Sequence, residues 1–247
     1  MFDTRVLTLV AESCDATTLF SRQSENTGLC RFVQYLETRG RVDRLGIMGG
    51  TFDPIHYGHL VAAEMARSQF NLSKVLFIPS GMPPHKDRSD ITAAGLRFEM
   101  IERAIADNPA FDISALEIER KGPSYTVDTL RVLRRTRPEQ ELYFITGSDA
   151  LREIFSWREA EEILTLTEFI GAARPGFDTC DFLLQVQQEH PESQGRIHYL
   201  EVPALAISST DIRARVKLGH PIRYLLPESV RHFIQQHGLY TAEGNVL

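Results

Sequence analysis

Short apolar runs alternate with longer segments of helical composition throughout the chain after Arg44, and this alternation restricts the fold more than any other feature. Such alternation is the sequence form of repeated βαβ units, whose strands lie parallel in one buried sheet. The predicted strands are 45–48, 75–79, 111–118, 142–146, 169–172 and 197–200. The predicted helices are 58–70, 93–106, 125–135, 150–154, 158–164, 181–188, 209–218 and 227–236. The pattern therefore predicts an α/β fold: a doubly wound parallel sheet with helices on both faces and ligands bound outside the carboxyl ends of the strands.

Residues 1–43 do not join this alternation and carry mixed charges around two weak apolar patches. The 247 residues are 43% hydrophobic, which is enough for one full core, so we expect a single α/β domain over 44–247. For 1–43 we expect either a poorly ordered N-terminal extension or a start site assigned too early, with translation beginning near Val42.

Charge and cysteine content argue against several classes of protein. The formal net charge is −6 and no basic stripe is interleaved with aromatic residues, which disfavours a nucleic-acid partner. Three cysteines without paired spacing do not indicate a disulfide scaffold. No apolar run is long enough to cross a bilayer, and the apolar run 6–11 lacks the basic flank of a secretory signal. We therefore expect a soluble, cytoplasmic protein without membrane or nucleic-acid partners, and homo-oligomer formation stays open.

The most informative local segment is 49–59, GGTFDPIHYGH, which connects the first predicted strand to the first predicted helix. Gly49 and Gly50 leave the backbone open to an anionic ligand, and the free N–H groups at the start of a helix favour negative charge. His56 and His59 are three residues apart, so both rings fall on one side of a helix that has begun by His56. The segment predicts a phosphate site. A tight turn, a core histidine or a metal pair would also suit parts of it, although zinc needs more ligands than two histidines.

These residues resemble the signature of the nucleotidyltransferase superfamily with the His-x-Gly-His motif, and specifically that of the bacterial nicotinate-nucleotide adenylyltransferases. Further stretches are similar to that family, in the same order, between about Arg44 and Tyr240. They are 83–86 (PPHK), 123–126 (PSYT), 147–149 (GSD), Trp157, 173–176 (ARPG) and 207–213 (ISSTDIR). Their joint occurrence is far more specific than any single motif, and it implies a Rossmann-like nucleotidyltransferase fold.

The resemblance implies an enzyme of NAD biosynthesis that transfers AMP from ATP to nicotinate mononucleotide, giving deamido-NAD and pyrophosphate. The catalytic residues that it implies are His56, His59, Lys86 and Arg213. Those implied for ATP binding are Gly49, Gly50, Thr51, Phe52, His56, His59, Gly147, Asp149, Arg174, Ile207, Ser208, Ser209, Thr210 and Arg213. Those implied for nicotinate mononucleotide binding are Lys86, Ser124, Tyr125, Thr126 and Trp157. No metal site built by the protein is expected, and Mg²⁺ is expected to arrive with ATP.

Simpler roles stay open for several of these residues. Capping of a helix would explain Ser209, Thr210 or Asp149 as well as ligand binding does. Arg213 would also suit a surface ion pair, and Trp157 an ordinary aromatic residue at the rim of the core.

Asp53 has two readings, because an Asp-Pro pair often orients a turn and a carboxylate can also contact hydrated magnesium. Two further functions stay open beside the main one. The first is adenylyl transfer to another phosphate acceptor, such as nicotinamide mononucleotide or phosphopantetheine. The second is nucleotide binding without turnover.

Overall fold

The structure is a computed structural model that describes residues 43–84, 91–173, 186, 188, 190–203 and 205–242. The N-terminal extension expected over 1–43 lies outside these ranges except for Asp43, and so does most of the predicted helix 181–188. Both therefore stay predictions. Within the described ranges, no helix combines the length and the apolar character that crossing a membrane requires.

The described strands form one six-stranded sheet in which every pair of neighbours is parallel. They are β1 Arg44–Gly50, β2 Lys74–Pro79, β3 Phe111–Ile113, β4 Glu141–Gly147, β5 Glu168–Ala173 and β6 Ile197–Glu201. Their order is β3-β2-β1-β4-β5-β6, so the chain leaves β1 toward one edge and returns to start the other half at β4. The predicted doubly wound sheet is confirmed, and its switch point lies between β1 and β4.

The described α-helices match the predicted segments closely. They are α1 Tyr57–Gln69, α2 Ala94–Ile105, α3 Leu116–Glu119, α4 Thr126–Thr136, α5 Ser148–Arg152, α6 Ala160–Leu166, α7 Ser209–Lys217 and α8 Glu228–Gln236. Short 3₁₀ turns occupy Ile154–Ser156 and Pro191–Ser193. Of these elements, only α3 and the two 3₁₀ turns are absent from the sequence prediction.

Helices cover both faces of the sheet, as the near-continuous apolar strands require. Alternate residues of a strand point to opposite faces, so Phe144 packs in one apolar cluster and Ile145 in the other. One cluster joins the sheet to α1, α2, α7 and α8, and the other joins it to α4, α5 and α6. Each fully buried aliphatic or aromatic side chain contributes about 1.5–3 kcal/mol. This packing holds the carboxyl ends of the strands in fixed positions.

The second half of the predicted strand 111–118 is wrong. β3 ends at Ile113, and the following residues form the short helix α3. Glu117 on that helix is buried and accepts a hydrogen bond of 2.6 Å from the Thr129 hydroxyl of α4. Burial raises the pKa of the Glu117 carboxyl. A contact between α3 and α4 therefore stabilises a helical turn where the local sequence favours a strand.

Candidate functional site

A cleft of about 390 Å³ opens at the carboxyl ends of β1 and β4, where the order of the strands reverses. Its walls include Gly49 from β1, His56 and His59 from the start of α1, Asp149 from α5, and Ile207. A cleft at this point of an open α/β sheet is the usual place for a ligand. The fold thus brings together residues that are up to about 160 positions apart in the sequence.

The imidazoles of His56 and His59 stack in this cleft with their ring centroids 3.8 Å apart. His56 precedes α1 as its N-cap residue, and His59 is the third residue of the helix. Burial lowers the pKa of His56 to about 4. Burial, and then the adjacent His56, hold the pKa of His59 well below its usual range. Both rings are therefore neutral at pH 7.

One hydrogen bond fixes the tautomer of His59. The backbone N–H of His56 donates to Nδ1 of His59 at 3.3 Å. A ring nitrogen that accepts a hydrogen bond carries no proton, so the neutral ring holds its proton on Nε2. His59 can therefore donate one hydrogen bond to a ligand without carrying a charge. Nδ1 of His56 is buried and has no hydrogen-bond partner among the described residues.

Close packing against aromatic rings favours glycine at two positions around the site. A Cβ atom on Gly58 would lie 3.0 Å from Cε1 and Nδ1 of His56 and would press on the ring. A Cβ atom on Gly49 would lie 2.9 Å from the Phe144 ring. Gly49 and Gly50 also differ from expectation, because they are the last two residues of β1 and still pair with β2, rather than forming a separate turn.

The loop between β1 and α1 is held by Asp53, which is buried. Its Oδ1 accepts a hydrogen bond of 2.6 Å from the Tyr240 hydroxyl, and its Oδ2 accepts one of 3.1 Å from the Thr92 backbone N–H. Both carboxylate oxygens are thus engaged within the protein. Of the two readings left open by the sequence, this geometry favours loop orientation over contact with a metal.

Helix α7 docks on the same loop through two side chains. The Ser209 hydroxyl donates to the Pro54 carbonyl at 2.9 Å, and the Arg213 guanidinium donates to the Asp53 carbonyl at 2.7 Å. The N-cap of this helix is Ser208, whose hydroxyl accepts from the Asp211 N–H at 3.1 Å. The capping role considered for Ser209 or Thr210 is therefore wrong, and the bond described for Arg213 is to a backbone carbonyl rather than to a carboxylate.

The end of β4 supplies the opposite wall of the cleft. Gly147 is the N-cap of α5, which begins at Ser148, so Asp149 lies within the first turn and does not cap the helix. Its side chain is exposed on the cleft, and a carboxylate in that position can accept hydrogen bonds from sugar hydroxyls.

Comparison with known proteins agrees with this geometry. Residues 47–215 match the model of the cytidylyltransferase-like family. A probable nicotinate-nucleotide adenylyltransferase of Desulfitobacterium hafniense is 62% identical over 197 residues, which cover 80% of this chain and 95% of that protein. This chain belongs to the nicotinate-nucleotide adenylyltransferase family. A second probable member, from Moorella thermoacetica, is 54% identical over 205 residues, or 81% of this chain and 93% of that protein.

Solved structures support the fold of this family member. The nicotinic acid mononucleotide adenylyltransferase of Plasmodium falciparum, complexed with NaAD, superposes with a TM-score of 0.67 at 21% identity, over 80% of this chain and 97% of that chain. The same protein complexed with APC gives a TM-score of 0.65 at 22% identity, with the same coverage. At these identities the likeness concerns the fold, and it confirms the Rossmann-like nucleotidyltransferase architecture.

Some residues that the family resemblance implied as ligands have other contacts here. Trp157 is half-buried at the edge of an apolar cluster, with edge-on contacts to Phe144 and Phe169 at 6.0 and 6.2 Å between centroids. The Ser124 hydroxyl accepts hydrogen bonds from the backbone N–H groups of Gly81 and Met82 at 3.0 and 3.2 Å. These contacts hold the segment that follows β2.

The neighbours of Ser124 begin the next helix of this family member. Tyr125 is the N-cap residue of α4 and Thr126 its first residue. The ring of Tyr125 lies under the Arg158 guanidinium at 4.7 Å. Lys86 and Arg174 lie outside the described residues, so their roles stay predictions.

Two residues that organise the loops of this adenylyltransferase-family site were not predicted from the sequence. Arg97 is buried in α2 at 1% exposure, and Tyr240 is buried after α8. The signal for Arg97 was a charged residue placed among the apolar positions of a predicted helix, which requires buried partners. No local signal marked Tyr240, because its partner Asp53 lies 187 positions earlier.

Among the described residues, no group of three or more histidine, cysteine, aspartate or glutamate side chains is arranged to hold a metal ion.

Proposed function

We propose that this protein transfers the adenylyl group of ATP to nicotinate mononucleotide, releasing pyrophosphate and deamido-NAD in the biosynthesis of NAD. The observation that carries the proposal is the pair of neutral, stacked imidazoles at the start of α1, in the cleft at the switch point of the sheet. The relatives at 62% and 54% identity support the choice of nicotinate mononucleotide as acceptor.

The reaction needs no catalytic base. A phosphate oxygen of nicotinate mononucleotide is already anionic, and it attacks the α-phosphorus of ATP while the bond from that phosphorus to the bridging oxygen of pyrophosphate breaks. The protein has to align the two phosphates and to stabilise the charge on the transferred group. A site built from amide N–H groups, hydroxyls, neutral imidazoles and a guanidinium suits this chemistry.

We assign the α-phosphate contact to the Nε2–H of His59, since its other ring nitrogen is occupied by the His56 N–H. His56, whose ring stacks on that of His59, would contact the same phosphate region. The free N–H groups at the N-terminus of α1 add a favourable field for negative charge. Arg213, held against the Asp53 carbonyl, has further N–H groups for the leaving pyrophosphate.

The remaining binding roles follow the family resemblance. Asp149 and Gly147 would hold the ribose of ATP, and Ser208, Ser209 and Thr210 would lie near its phosphates. Nicotinate mononucleotide would be recognised through Ser124, Tyr125, Thr126 and Trp157, where donors rather than acids suit the nicotinate carboxylate. We propose Lys86 as a further phosphate contact and Arg174 as a residue near the adenine.

We propose Mg²⁺ as the cation that enters with ATP, because it binds phosphate oxygens and keeps several waters rather than requiring a cage of protein ligands. We also propose that the enzyme works in the cytoplasm without a nucleic-acid partner.

Pyrophosphate release measured with ATP and three separate acceptors tests the proposal. We expect turnover with nicotinate mononucleotide at least about tenfold faster in kcat/KM than with nicotinamide mononucleotide, and none with phosphopantetheine. Removal of the divalent cation with EDTA should abolish turnover and leave the melting temperature unchanged. Preference for another acceptor, or ATP binding without pyrophosphate release, would reject the assignment.

A further inference from the structure

A single buried guanidinium connects three loop segments near the cleft. Arg97 donates to the carbonyl of Thr51 at 2.6 Å, to that of Ser80 at 2.7 Å and to that of Thr92 at 2.8 Å. Thr51 follows β1, Ser80 follows β2, and Thr92 precedes α2. The planar guanidinium directs its N–H groups in fixed directions, so it sets the relative positions of all three carbonyls.

Asp53 forms the second half of this arrangement. Its carboxylate accepts from the Tyr240 hydroxyl and from the Thr92 N–H, and its carbonyl accepts from Arg213. Burial lowers the pKa of Arg97, and the charge of Asp53 opposes that effect. Two opposite charges are thus buried near one another, each with hydrogen bonds from the protein, as a buried ionic group requires.

Phe52 lies between Thr51 and Asp53 and adopts a backbone conformation that non-glycine residues rarely take. Phe52 has φ of 50°, in the left-handed region, which is strained for a non-glycine residue unless its surroundings impose it. The carbonyl of the preceding residue, Thr51, accepts a hydrogen bond from Arg97. The following residue, Asp53, accepts hydrogen bonds from Tyr240 and Arg213. The ring of Phe52 in turn contacts the His59 ring edge-on, at 5.0 Å between centroids.

We propose that Arg97, Asp53 and Tyr240 are positioning residues for the adenylyl transfer, which hold Phe52 in its strained backbone conformation and through it set the position of the His59 ring. The inference rests on the proposed function. None of the three needs to touch a substrate, because each acts on the loop that leads into α1. The arrangement aligns His59 for the transition state, where a displacement of about 1 Å can lower the rate roughly a hundredfold.

Tyr240→Phe removes a single hydroxyl and leaves the buried ring in place. We expect kcat to fall about tenfold while KM for ATP changes less than about twofold, since alignment matters most in the transition state. The matched control is Tyr143→Phe, which removes the hydroxyl of another buried tyrosine, 3.4 Å from the Glu141 carboxylate at the opposite end of the sheet. It should change kcat less than about twofold.

A double variant separates positioning from simple loss of stability. In the His59→Ala background, Tyr240→Phe should lower the remaining turnover less than about twofold, because the ring that the hydroxyl positions is gone. Arg97→Lys keeps the positive charge but removes the planar guanidinium that binds the three carbonyls. It should lower kcat about a hundredfold in protein that circular dichroism shows to be folded.

The inference is overturned if Tyr240→Phe behaves like Tyr143→Phe, or if its cost is the same with and without His59. If Arg97→Lys does not fold, the two tyrosine variants alone decide the matter. Failure of the wild-type protein to release pyrophosphate with any acceptor would instead reject the proposed function. The two failures are therefore distinguishable.

Discussion

The rings of His56 and His59 stack at 3.8 Å, and the backbone N–H of the first donates to the ring of the second. A proton on one ring would disfavour a proton on the other, and burial disfavours both. In the proposed reaction, the site would therefore present neutral imidazoles, with His59 as a hydrogen-bond donor, beside the transferred phosphate. In the proposed reaction, positive charge would come from Arg213, from Lys86, from the N-terminus of α1 and from the cation that accompanies ATP.

Glutamine and asparagine at position 59 test which ring nitrogen of His59 serves the substrate. Glutamine can place its amide N–H₂ near the position of Nε2, whereas asparagine reproduces only the acceptor at Nδ1. We expect His59→Asn to lower kcat by roughly a hundredfold or more, the scale for losing a donor in the transition state, and His59→Gln to keep about ten times more activity than Asn. Steady-state kinetics at pH 7.5 measures both, and equal loss in the two variants would contradict the tautomer.

Stability should depend on pH through the buried His56. In the unfolded chain its pKa is near 6.5, and in the folded protein burial lowers it to about 4. The unfolded state therefore binds the proton first, so the contribution of the neutral ring is complete above pH 6.5 and is lost as the pH falls toward 4. For His56 alone, this corresponds to a decrease in unfolding free energy on the order of 3 kcal/mol over that interval, and His59, whose pKa burial also lowers, should add to the decrease seen by urea unfolding. The decrease should shrink in His56→Asn and persist in the exposed control His232→Asn.

A methyl group at Gly58 should reduce activity without destabilising the fold. The added Cβ atom would lie 3.0 Å from the His56 ring, so the imidazole has to move. We expect Gly58→Ala to lower kcat about tenfold, because a displaced phosphate contact costs a large part of its effect. Gly95→Ala is the matched control, since Gly95 is likewise the second residue of its helix and nothing lies within 4 Å of its added Cβ.

The control should keep full activity and gain about 0.4–1 kcal/mol in unfolding free energy. Equal activity in the two glycine variants would show that the His56 ring has room to adjust.

Arginine at position 213 should be required for its geometry as well as its charge. Arg213→Lys keeps the charge but cannot both bind the Asp53 carbonyl and present a fork to two phosphate oxygens. We expect kcat to fall roughly tenfold to a hundredfold. Arg215→Lys, on the same helix and paired with Asp211 on the surface, should change kcat less than about twofold. Comparable losses in both would indicate a general effect on α7.

Local sequence predicted the elements of the fold well, because strands buried on both faces and amphipathic helices leave regular patterns. It failed at 114–118, where the Glu117–Thr129 contact between α3 and α4 decides the conformation. The location of the cleft also followed from the sequence, since the motif 49–59 lies at the carboxyl end of the first strand.

The supporting contacts of the site were not predictable in the same way. Arg97 binds carbonyls that are 5, 17 and 46 positions away, and backbone carbonyls carry no mark in the sequence. The choice of Ser208 rather than Ser209 as N-cap depends on where Pro54 lies, because its carbonyl binds the Ser209 hydroxyl. Partners of this kind become visible only in three dimensions.

Ser209, Arg213 and Tyr240, which secure the loop before α1, all come after position 208 of 247. During synthesis on the ribosome, the histidine motif is therefore made long before the residues that brace it. A nascent chain that has completed β1 and β4 still lacks these contacts, so the ability to process nucleotides should be acquired only after α7, α8 and Tyr240 have been made and have folded.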